Sequence, residues 1–469
     1  MKTPSVNIIK ATDSYKISHY RQYPPGTEKV FSFFESRGGM FPAVTFFGLQ
    51  YILARYLAGT AVTAQDVAEA KDYFAAHFGD KTLFNEAGWM HIVNVHRGRL
   101  PVVIRAVPEG TTVPTGNVLM TIENTDPACP WLPNYLETIL SQVWYPSTVA
   151  TQSREMRRVI LTALEKTGDP AGIDFKLHDF GYRGSTSIES AGIGGAAHLV
   201  NFMGTDNLAA LDVAREYYGE PMAGFSIPAA EHSTITSWGK DHEKEAFENM
   251  LDAFPTGLVA VVSDSYDIFA ACKHIWGEAL KEKVLARDGL LVVRPDSGYP
   301  PEVVTEVLSL LGTAFGVSVN AKGYKVLNPK VRVIQGDGID YEMLGNVLAA
   351  VADAGWSADN LAFGSGGGLL QKVNRDTQKF AFKCSAVQVN GIWRDVSKNP
   401  ITDPGKRSKA GRLALVYMNG SHRSSYTTMR EEEAAESGNY NELAVVFKDG
   451  ALTAEQLFSD IRTRAKHFA

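Results

Sequence analysis

Short apolar runs and amphipathic stretches alternate through the middle of this chain. From about residue 173, seven apolar runs recur roughly 25 to 40 residues apart: IDFKLHDFGYRG, HLVNFMGTD, AGFSIPAAEHS, GLVAVVSDSYD, GLLVVRPDSG, KVRVIQGDG and NLAFGSGGG. Most end in polar residues or glycine. Between several of them lie helix-period patterns such as NLAALDVAREYYG, DHEKEAFENMLDAF and PPEVVTEVLSLLG. Strands that alternate with helices predict βαβ units and a parallel sheet. About seven such units in a span of roughly 200 residues predict a closed or nearly closed, irregular (β/α) barrel, with the open doubly wound sheet as the alternative.

The two ends read differently. Residues 1–150 mix helical stretches such as AQDVAEAKDYFAAHFG with turn-bounded β runs such as LPVVIRAVPEGTTVPTGNVLMTIENTD, and AVVFKDGALT near the C-terminus reads as a hairpin. The predicted fold class is therefore α/β. The barrel takes residues 151–384, packed beside an α/β domain formed from both chain ends, 1–150 plus 385–469.

Composition narrows the function classes. With 469 residues, 45% of them hydrophobic, the chain can bury a large core. A net charge of -6 gives no global attraction to nucleic acid, so no nucleic-acid partner is expected. Cys129, Cys272 and Cys384 are too few and too scattered for a disulfide framework or a thiolate metal site. The stretch MKTPSVNIIK lacks the long apolar run expected of a signal peptide, and no apolar stretch is long enough for a membrane span. A cytoplasmic protein with no membrane partner is the expectation.

Function collects at the carboxyl ends of strands in such architectures, and here the ends carry His178, Asp179, Arg183, Asp206, His232, Asp264, Arg294, Asp296 and Asp337. That set is too polar for a core. FGSGGG ends a strand in bare backbone before a helix. This suits a phosphate held by N–H groups, with Lys372, Arg375 and Lys383 following, and it also suits a tight turn without a ligand. It is not a Walker loop. Arg294 and Asp296 flank Pro295, and Asp337 sits between Gly336 and Gly338. A guanidinium clamps phosphate and a carboxylate accepts from sugar hydroxyls, so these ends suggest a ribose phosphate as readily as a structural ion pair and a turn. Phe180 and Tyr182, beside Arg183, suit stacking on a flat heterocycle or ordinary packing. Thr205 or Asp206 could cap the next helix; otherwise Asp206 faces a ligand, accepting N–H groups and repelling carboxylates. Glu231 and His232 offer acid, base or nucleophile. DHEKE lacks the second histidine of a zinc helix, GFSIP lacks the last glycine of a nucleophile elbow, and GIGGAAH reads as close helix packing. The basic run GKRSKAGR is a solvated loop or a polyphosphate contact.

Taken together, ATDSYKISHYRQYPPGTEKVFSFFESR, KLHDFGYRG, PAAEHSTITSWGKDHEKEAFE, VVSDSYDI, RPDSG, VIQGDG, AFGSGGGLLQK and GKRSKAGRL closely resemble the nicotinamide phosphoribosyltransferase family, from about residue 7 to residue 462. The resemblance implies an irregular (β/α) barrel beside an α/β domain, and a homodimer with active sites shared across the interface. It implies transfer of phosphoribosyl from phosphoribosyl pyrophosphate to nicotinamide in NAD salvage, with Mg²⁺ and with ATP as an optional co-substrate. By motif, Phe180 and, from the other subunit, Tyr15 would stack on the two faces of the pyridine ring. Asp206 and Ser263 would contact the carboxamide. Arg294, Asp296, Gly336 and Asp337 would contact ribose and phosphate. Gly366, Gly367, Arg375 and Lys383 would hold the 5′-phosphate, the last two from the partner chain. His232 resembles a histidine phosphorylated by ATP, and Glu231 or another nearby carboxylate would orient the ring. Asp13, Arg37, Arg183, Asp267, Lys406 and Arg407 would line the pyrophosphate and nucleotide region. Ala381 stands where relatives can carry serine, which leaves the phosphate shell one hydroxyl short.

Three rivals are set aside on residues. Nicotinate phosphoribosyltransferase has an acid substrate, which a carboxylate at Asp206 would repel. A non-catalytic binding protein on the same scaffold would not need His232, Asp296 and the glycine loop together. An aldolase-type barrel would want a Schiff-base lysine, and the strand ends offer none.

Overall fold

The computed structural model describes residues 6–402, 408–418 and 425–467. The chain forms two compact units. One takes residues up to Thr151, Glu216–Gly219 and residues from Asn374 onward; the other takes Gln152–Arg215 and Glu220–Val373.

The second unit is built on a six-stranded parallel sheet. Its strands are β1 (Leu177–Asp179), β2 (Gly204–Thr205), β3 (Thr256–Val262), β4 (Asp288–Arg294), β5 (Val331–Gln335) and β6 (Leu361–Ser365). Their order is β2-β1-β6-β5-β4-β3. Helices α1 (Ile188–Leu199), α2 (Leu208–Tyr218), α3 (Glu243–Ala253), α4 (Pro300–Phe315) and α5 (Tyr341–Asp353) lie between the strands in sequence. The predicted strand–helix alternation is thus the observed one. Six of the seven apolar runs contain a strand of this sheet, HLVNFMGTD only in its last residues.

The remaining run, AGFSIPAAEHS, forms parallel bridges instead. Gly204 in β2 pairs with Phe225, and Ala229 pairs with Ala260 in β3. Pro228 has no N–H to give to a ladder, yet its carbonyl accepts from the Ala260 N–H at 2.9 Å. The segment therefore touches both edge strands of the sheet without becoming a regular strand.

Alternate residues of these strands face inward. Ala260, Val292 and Ile334 form a buried apolar cluster, with Phe180, Ile227, Leu290 and Ala362 packed against it. The opposite faces of β3–β6 are buried too, as Val259, Val261, Leu291, Val293, Val333 and Phe363 show. Burial on both faces is the mark of a parallel sheet covered by helices. The small residues of GIGGAAH do bring helices together: a Cβ on Gly192 would meet Val213 at 2.9 Å, and one on Gly195 would meet Ala210 at 2.7 Å. An antiparallel pair, Val317–Val319 with Lys325–Leu327, is inserted before β5 and was not foreseen.

The first unit carries a seven-stranded sheet whose strands pair antiparallel. Thr27–Ser36, Val102–Ala106 and Val118–Asn124 come from the N-terminal part, while Phe380–Val389, Ile392–Asp395, Ala444–Lys448 and Ala451–Leu452 come from the C-terminal part. The AVVFKDGALT hairpin is present, with Phe447 opposite Leu452. A domain boundary at 384/385 would cut strand Phe380–Val389, which pairs with Thr27–Ser36 along its whole length. The unit boundary falls before it, between Val373 and Asn374.

Candidate active site

The carboxyl ends of the parallel strands open on a cavity of about 720 Å³. Phe180, Arg183, Asp206, Glu231, His232, Arg294, Asp296, Gly336, Asp337 and Gly366 all line it, drawn together from six separate segments. Asp179, Tyr182 and Ser233 also reach it.

Phe180 forms the apolar side of the cavity. Its N–H donates to the Ser365 carbonyl at 3.0 Å, which ties the end of β1 to the end of β6. A Cβ on Gly364 would lie 2.0 Å from the aromatic ring, so only glycine lets the ring occupy that place. The Arg294 guanidinium carbon stands 5.6 Å from the ring centroid. Arg294 is itself fixed by Asp296, donating from Nη2 at 2.9 and 3.0 Å and from Nε at 3.1 Å. This charge-assisted pair keeps a cation at the cavity wall in one orientation.

The glycine loop divides into two roles. Gly364 yields to Phe180, and a Cβ on Gly368 would strike the Ile339 carbonyl oxygen at 2.5 Å. At Gly366 the nearest neighbour would be an ordinary contact at 3.5 Å, and at Gly367 nothing lies within 4 Å. Open backbone for a ligand is therefore a property of the middle glycines. The outer two are required by packing.

His232 opens a short helix, His232–Thr236. Its Nε2 lies 2.9 Å from Asp264 Oδ1. Ser297 Oγ donates to the other oxygen of Asp264 at 2.5 Å. Nδ1 faces Asp296 Oδ2 at 4.0 Å. The imidazole is 46% exposed and its Asp264 partner only 4%, so a buried carboxylate holds an accessible ring. Glu231, expected to orient the ring, does not: its carboxylate accepts from Ser233 Oγ and its N–H donates to Thr234. Asp264 takes that position.

Asp206 caps no helix. Its carboxylate accepts from Ser226 Oγ, and its N–H donates to the Asp179 carbonyl at 3.0 Å. Its other carboxylate oxygen accepts no hydrogen bond from the described residues. Behind it, Asp179 is fully buried and accepts from Gly181 N–H at 2.7 Å and Asn207 Nδ2 at 2.9 Å. Burial outweighs these donors and pushes its carboxyl up to about 6. Burial likewise lowers the pKa of neighbouring His178, whose Nε2 lies 3.1 Å from the Phe175 carbonyl.

Two expected residues are committed elsewhere. Ser263 is fully buried; its hydroxyl donates to the Val261 carbonyl at 2.9 Å and accepts from the Trp276 indole at 3.1 Å. Asp267 caps a helical turn, accepting from the Phe269 and Ala270 N–H groups at 3.0 Å each. Neither lines the cavity.

Asp13, Tyr15, Arg37, Arg375 and Lys383 belong to the first unit. Tyr15 is 59% exposed, with its ring edge-on to His19. Asp13 accepts from Thr138 Oγ1 at 2.8 Å. Arg37 donates to Glu35 at 2.9 Å. The Lys383 pKa is lowered, first by burial and then, against the pull of Glu137, by the positive charges of Arg37, Lys398 and Arg375. These cations gather on one side of the unit. Lys406 and Arg407 lie outside the described residues.

Ser226 and Ser297 are partners that sequence reasoning did not name, and Asp264 was named only as a polar strand end. Asp264 stood in view at a strand end, one residue from the Ser263 that was chosen instead.

A parallel sheet with a polar cavity at its carboxyl ends, an aromatic wall and an arginine paired with a carboxylate is the kind of site that takes a phosphorylated, ring-bearing ligand. Residues 175–450 match the model of the nicotinate phosphoribosyltransferase (NAPRTase) family, and residues 7–104 match the nicotinamide phosphoribosyltransferase N-terminal domain. The chain belongs to the nicotinate phosphoribosyltransferase family. Within it, the chain is 53% identical to a protein named nicotinamide phosphoribosyltransferase from Xanthomonas campestris, over 98% of each chain. A second protein of that name, from Acinetobacter baylyi, is 32% identical over 98% of this chain and 97% of its own length. Among solved structures, a nicotinate-nucleotide pyrophosphorylase from Pyrococcus furiosus matches with a TM-score of 0.60 at 15% identity, covering 100% of this chain and 96% of that one. Human nicotinic acid phosphoribosyltransferase matches at 0.58 and 17% identity, covering 97% and 93%. These two share the fold.

Proposed function

We propose that the cavity transfers phosphoribosyl from phosphoribosyl pyrophosphate to nicotinamide, giving nicotinamide mononucleotide and pyrophosphate in NAD salvage. The observation that carries the choice of base is Asp206, a carboxylate at the cavity wall with one oxygen held by Ser226. Such a group accepts a carboxamide N–H and repels a carboxylate. Phe180 gives the pyridine ring a flat apolar partner, which aims the ring nitrogen at the sugar.

In the reaction the C1–oxygen bond to pyrophosphate breaks and a C1–nitrogen bond to the ring forms. Positive charge develops at the sugar while negative charge grows on the leaving group. Asp296 and Asp337 are read as acceptors for ribose hydroxyls, and Arg183 and Arg294 as the cations that offset phosphate charge. Asp296 and Asp337 are also the hard oxygen donors that fit a magnesium ion held chiefly by substrate phosphates. The chemistry that ion supplies when bound is further neutralisation of the leaving pyrophosphate. The middle glycines, Gly366 and Gly367, leave room for the 5′-phosphate. The segment 225–230, bridged to β2 and β3, serves as the seventh stave of an irregular barrel.

ATP is read as an optional co-substrate acting through His232. With Nε2–H given to Asp264, the Nδ1 lone pair is the nucleophile. It attacks the γ-phosphorus, an N–P bond forms, the P–O bond breaks, and ADP leaves. The protein is read as a homodimer in which Tyr15, Arg375 and Lys383 come from the second copy. The exposure of the Tyr15 ring and the cationic group on the first unit support that reading.

The alternative base is nicotinate, which the family description names. One experiment decides: the protein with phosphoribosyl pyrophosphate and Mg²⁺ is offered nicotinamide, nicotinate or quinolinate separately, and the mononucleotide is identified. Nicotinamide mononucleotide is expected. Nicotinate mononucleotide as the main product would overturn the assignment of Asp206.

A further inference from the structure

The first unit holds a cluster of soft and borderline ligands that the phosphoribosyl chemistry does not use. His91 and His96 lie on the helix Glu86–His96, and Asp126 and Cys129 lie just beyond strand Val118–Asn124. His91 Nε2 is 2.7 Å from Asp126 Oδ2, and His96 Nε2 is 2.6 Å from the same oxygen. The ligand atoms of His91, Asp126 and Cys129 all lie within 4.8 Å of one another. Cysteine spacing gave no hint of this, because only one thiol takes part and its partners come from a different element.

The surroundings hold the donors in place. Asp126 Oδ1 accepts the Ala128 N–H at 2.8 Å, which leaves Oδ2 turned to the imidazoles. The Asp126 carbonyl accepts from the Cys129 N–H at 3.0 Å and from Asn124 Nδ2 at 2.8 Å. Asn124 is fully buried and also bonds the neighbouring strand through Val30 and Glu28. The Asp-x-x-Cys turn is thus pinned to the sheet. Access is one-sided: the His91 and His96 side chains are 32% and 25% exposed, Asp126 is 18% exposed, and Cys129 is fully buried beneath them.

We propose that His91, His96, Asp126 and Cys129 form a binding site for a zinc-class divalent ion. Two imidazole nitrogens already converge on one carboxylate oxygen, and a cation can replace the protons that now lie between them. Two nitrogens, one oxygen and one thiolate make a four-ligand set suited to a borderline metal and unsuited to Mg²⁺. Ligand atoms in a tetrahedral zinc site lie about 3.4 Å apart, given bonds of about 2.0–2.3 Å. The His91–Asp126–Cys129 group must therefore close by up to about 1.4 Å, and His96, which lies outside that group though bonded to Asp126, must swing further in to become the fourth ligand. Binding releases the thiol proton, and the proton on each ligating Nε2, to solvent. The ion would staple the helix Glu86–His96 to the turn that follows the strand.

The test uses untagged, full-length, reduced protein, stripped with a chelator and titrated with Zn²⁺ or Co²⁺ alone. One ion per chain is expected, with a Co²⁺ thiolate charge-transfer band and a Zn²⁺-dependent rise in Tm. His91→Ala removes a partly exposed ring, so its Tm in chelator should match the wild type while uptake falls at least tenfold. Cys129→Ser should lose the charge-transfer band. No stoichiometric uptake by the wild type would overturn the site, as would unchanged uptake by both variants; the cluster would then be a hydrogen-bonded His–Asp–His group only.

Discussion

Replacing Asp206 by Asn removes one charge from the cavity and changes almost nothing else. The Asp206 N–H bond to Asp179 is in the backbone and stays. Ser226 Oγ can donate to the amide oxygen as it does to the carboxylate. The side chain caps no helix, so stability should change little. What changes is the field felt by a base. Two unit charges at about 4 Å repel by about 1 kcal/mol in water and about 4 kcal/mol at an effective dielectric of 20. The cavity lies between those limits, since Asp206 is solvent-exposed in the empty site but covered by a bound base. Relief for nicotinate is therefore about 1–4 kcal/mol. Nicotinamide loses a charge-assisted hydrogen bond, about 1–2 kcal/mol more than a neutral one would be worth. Both effects move the nicotinate-to-nicotinamide ratio of kcat/KM the same way, and a rise of at least about tenfold is expected, equivalent to about 1.4 kcal/mol. The assay is steady-state synthesis with each base at saturating phosphoribosyl pyrophosphate and Mg²⁺. An unchanged ratio in a variant of unchanged Tm would refute the reasoning, because Asp206 would then not face the base.

The glycine loop should separate folding from binding. Gly364→Ala must displace Phe180 and should cost about 1–3 kcal/mol, seen as a lower Tm, whereas Gly366→Ala should keep its Tm and raise KM for phosphoribosyl pyrophosphate several-fold; equal Tm losses would argue against the division. His232→Ala should abolish ATP hydrolysis and ATP stimulation while leaving ATP-independent synthesis at high phosphoribosyl pyrophosphate, and full stimulation in the variant would return the histidine to a structural role. Mixing inactive Tyr15→Ala and Asp206→Ala chains should restore part of the activity through hybrid sites. No recovery despite demonstrated subunit exchange would mean that each site is built within one chain.

Most of the parallel sheet was legible because apolar runs and helical patterns alternate from β1 to β6, with the third run and the inserted antiparallel pair as the exceptions. The third run failed as a strand for a reason also in the sequence: Pro228 cannot complete a ladder. The choice of Ser263 over Asp264 shows where reading by pattern stops. In β3 every residue from Val259 to Val262 is buried, so the strand has no polar face to reveal which parity points inward. Ser263 continues the parity of Val259 and Val261 and goes to Trp276 under the helices. Asp264 continues the parity of Ala260 and reaches His232. The same limit applied to Glu231, whose nearness to His232 in sequence suggested a contact that the backbone turn sends elsewhere. Adjacent residues on a strand end diverge, while residues from neighbouring strands meet.

This geometry explains how one cavity can hold acids and arginines beside a substrate that is itself strongly anionic. The carboxylates beside Arg294 and His232 are not free charges. Asp296 is closed by Arg294, and Asp264 is shared between His232 and Ser297. Asp179, buried where no cation reaches it, is instead held toward its neutral form. Asp206 and Asp337 remain without such a partner cation among the described ion pairs; under the proposed function Asp206 meets the amide and Asp337 the sugar hydroxyls. The pairing pattern thus sorts these carboxylates into charge-compensated and uncompensated ones. Under the proposed function the base enters against the uncompensated Asp206, so that a single carboxylate would choose between an amide and an acid.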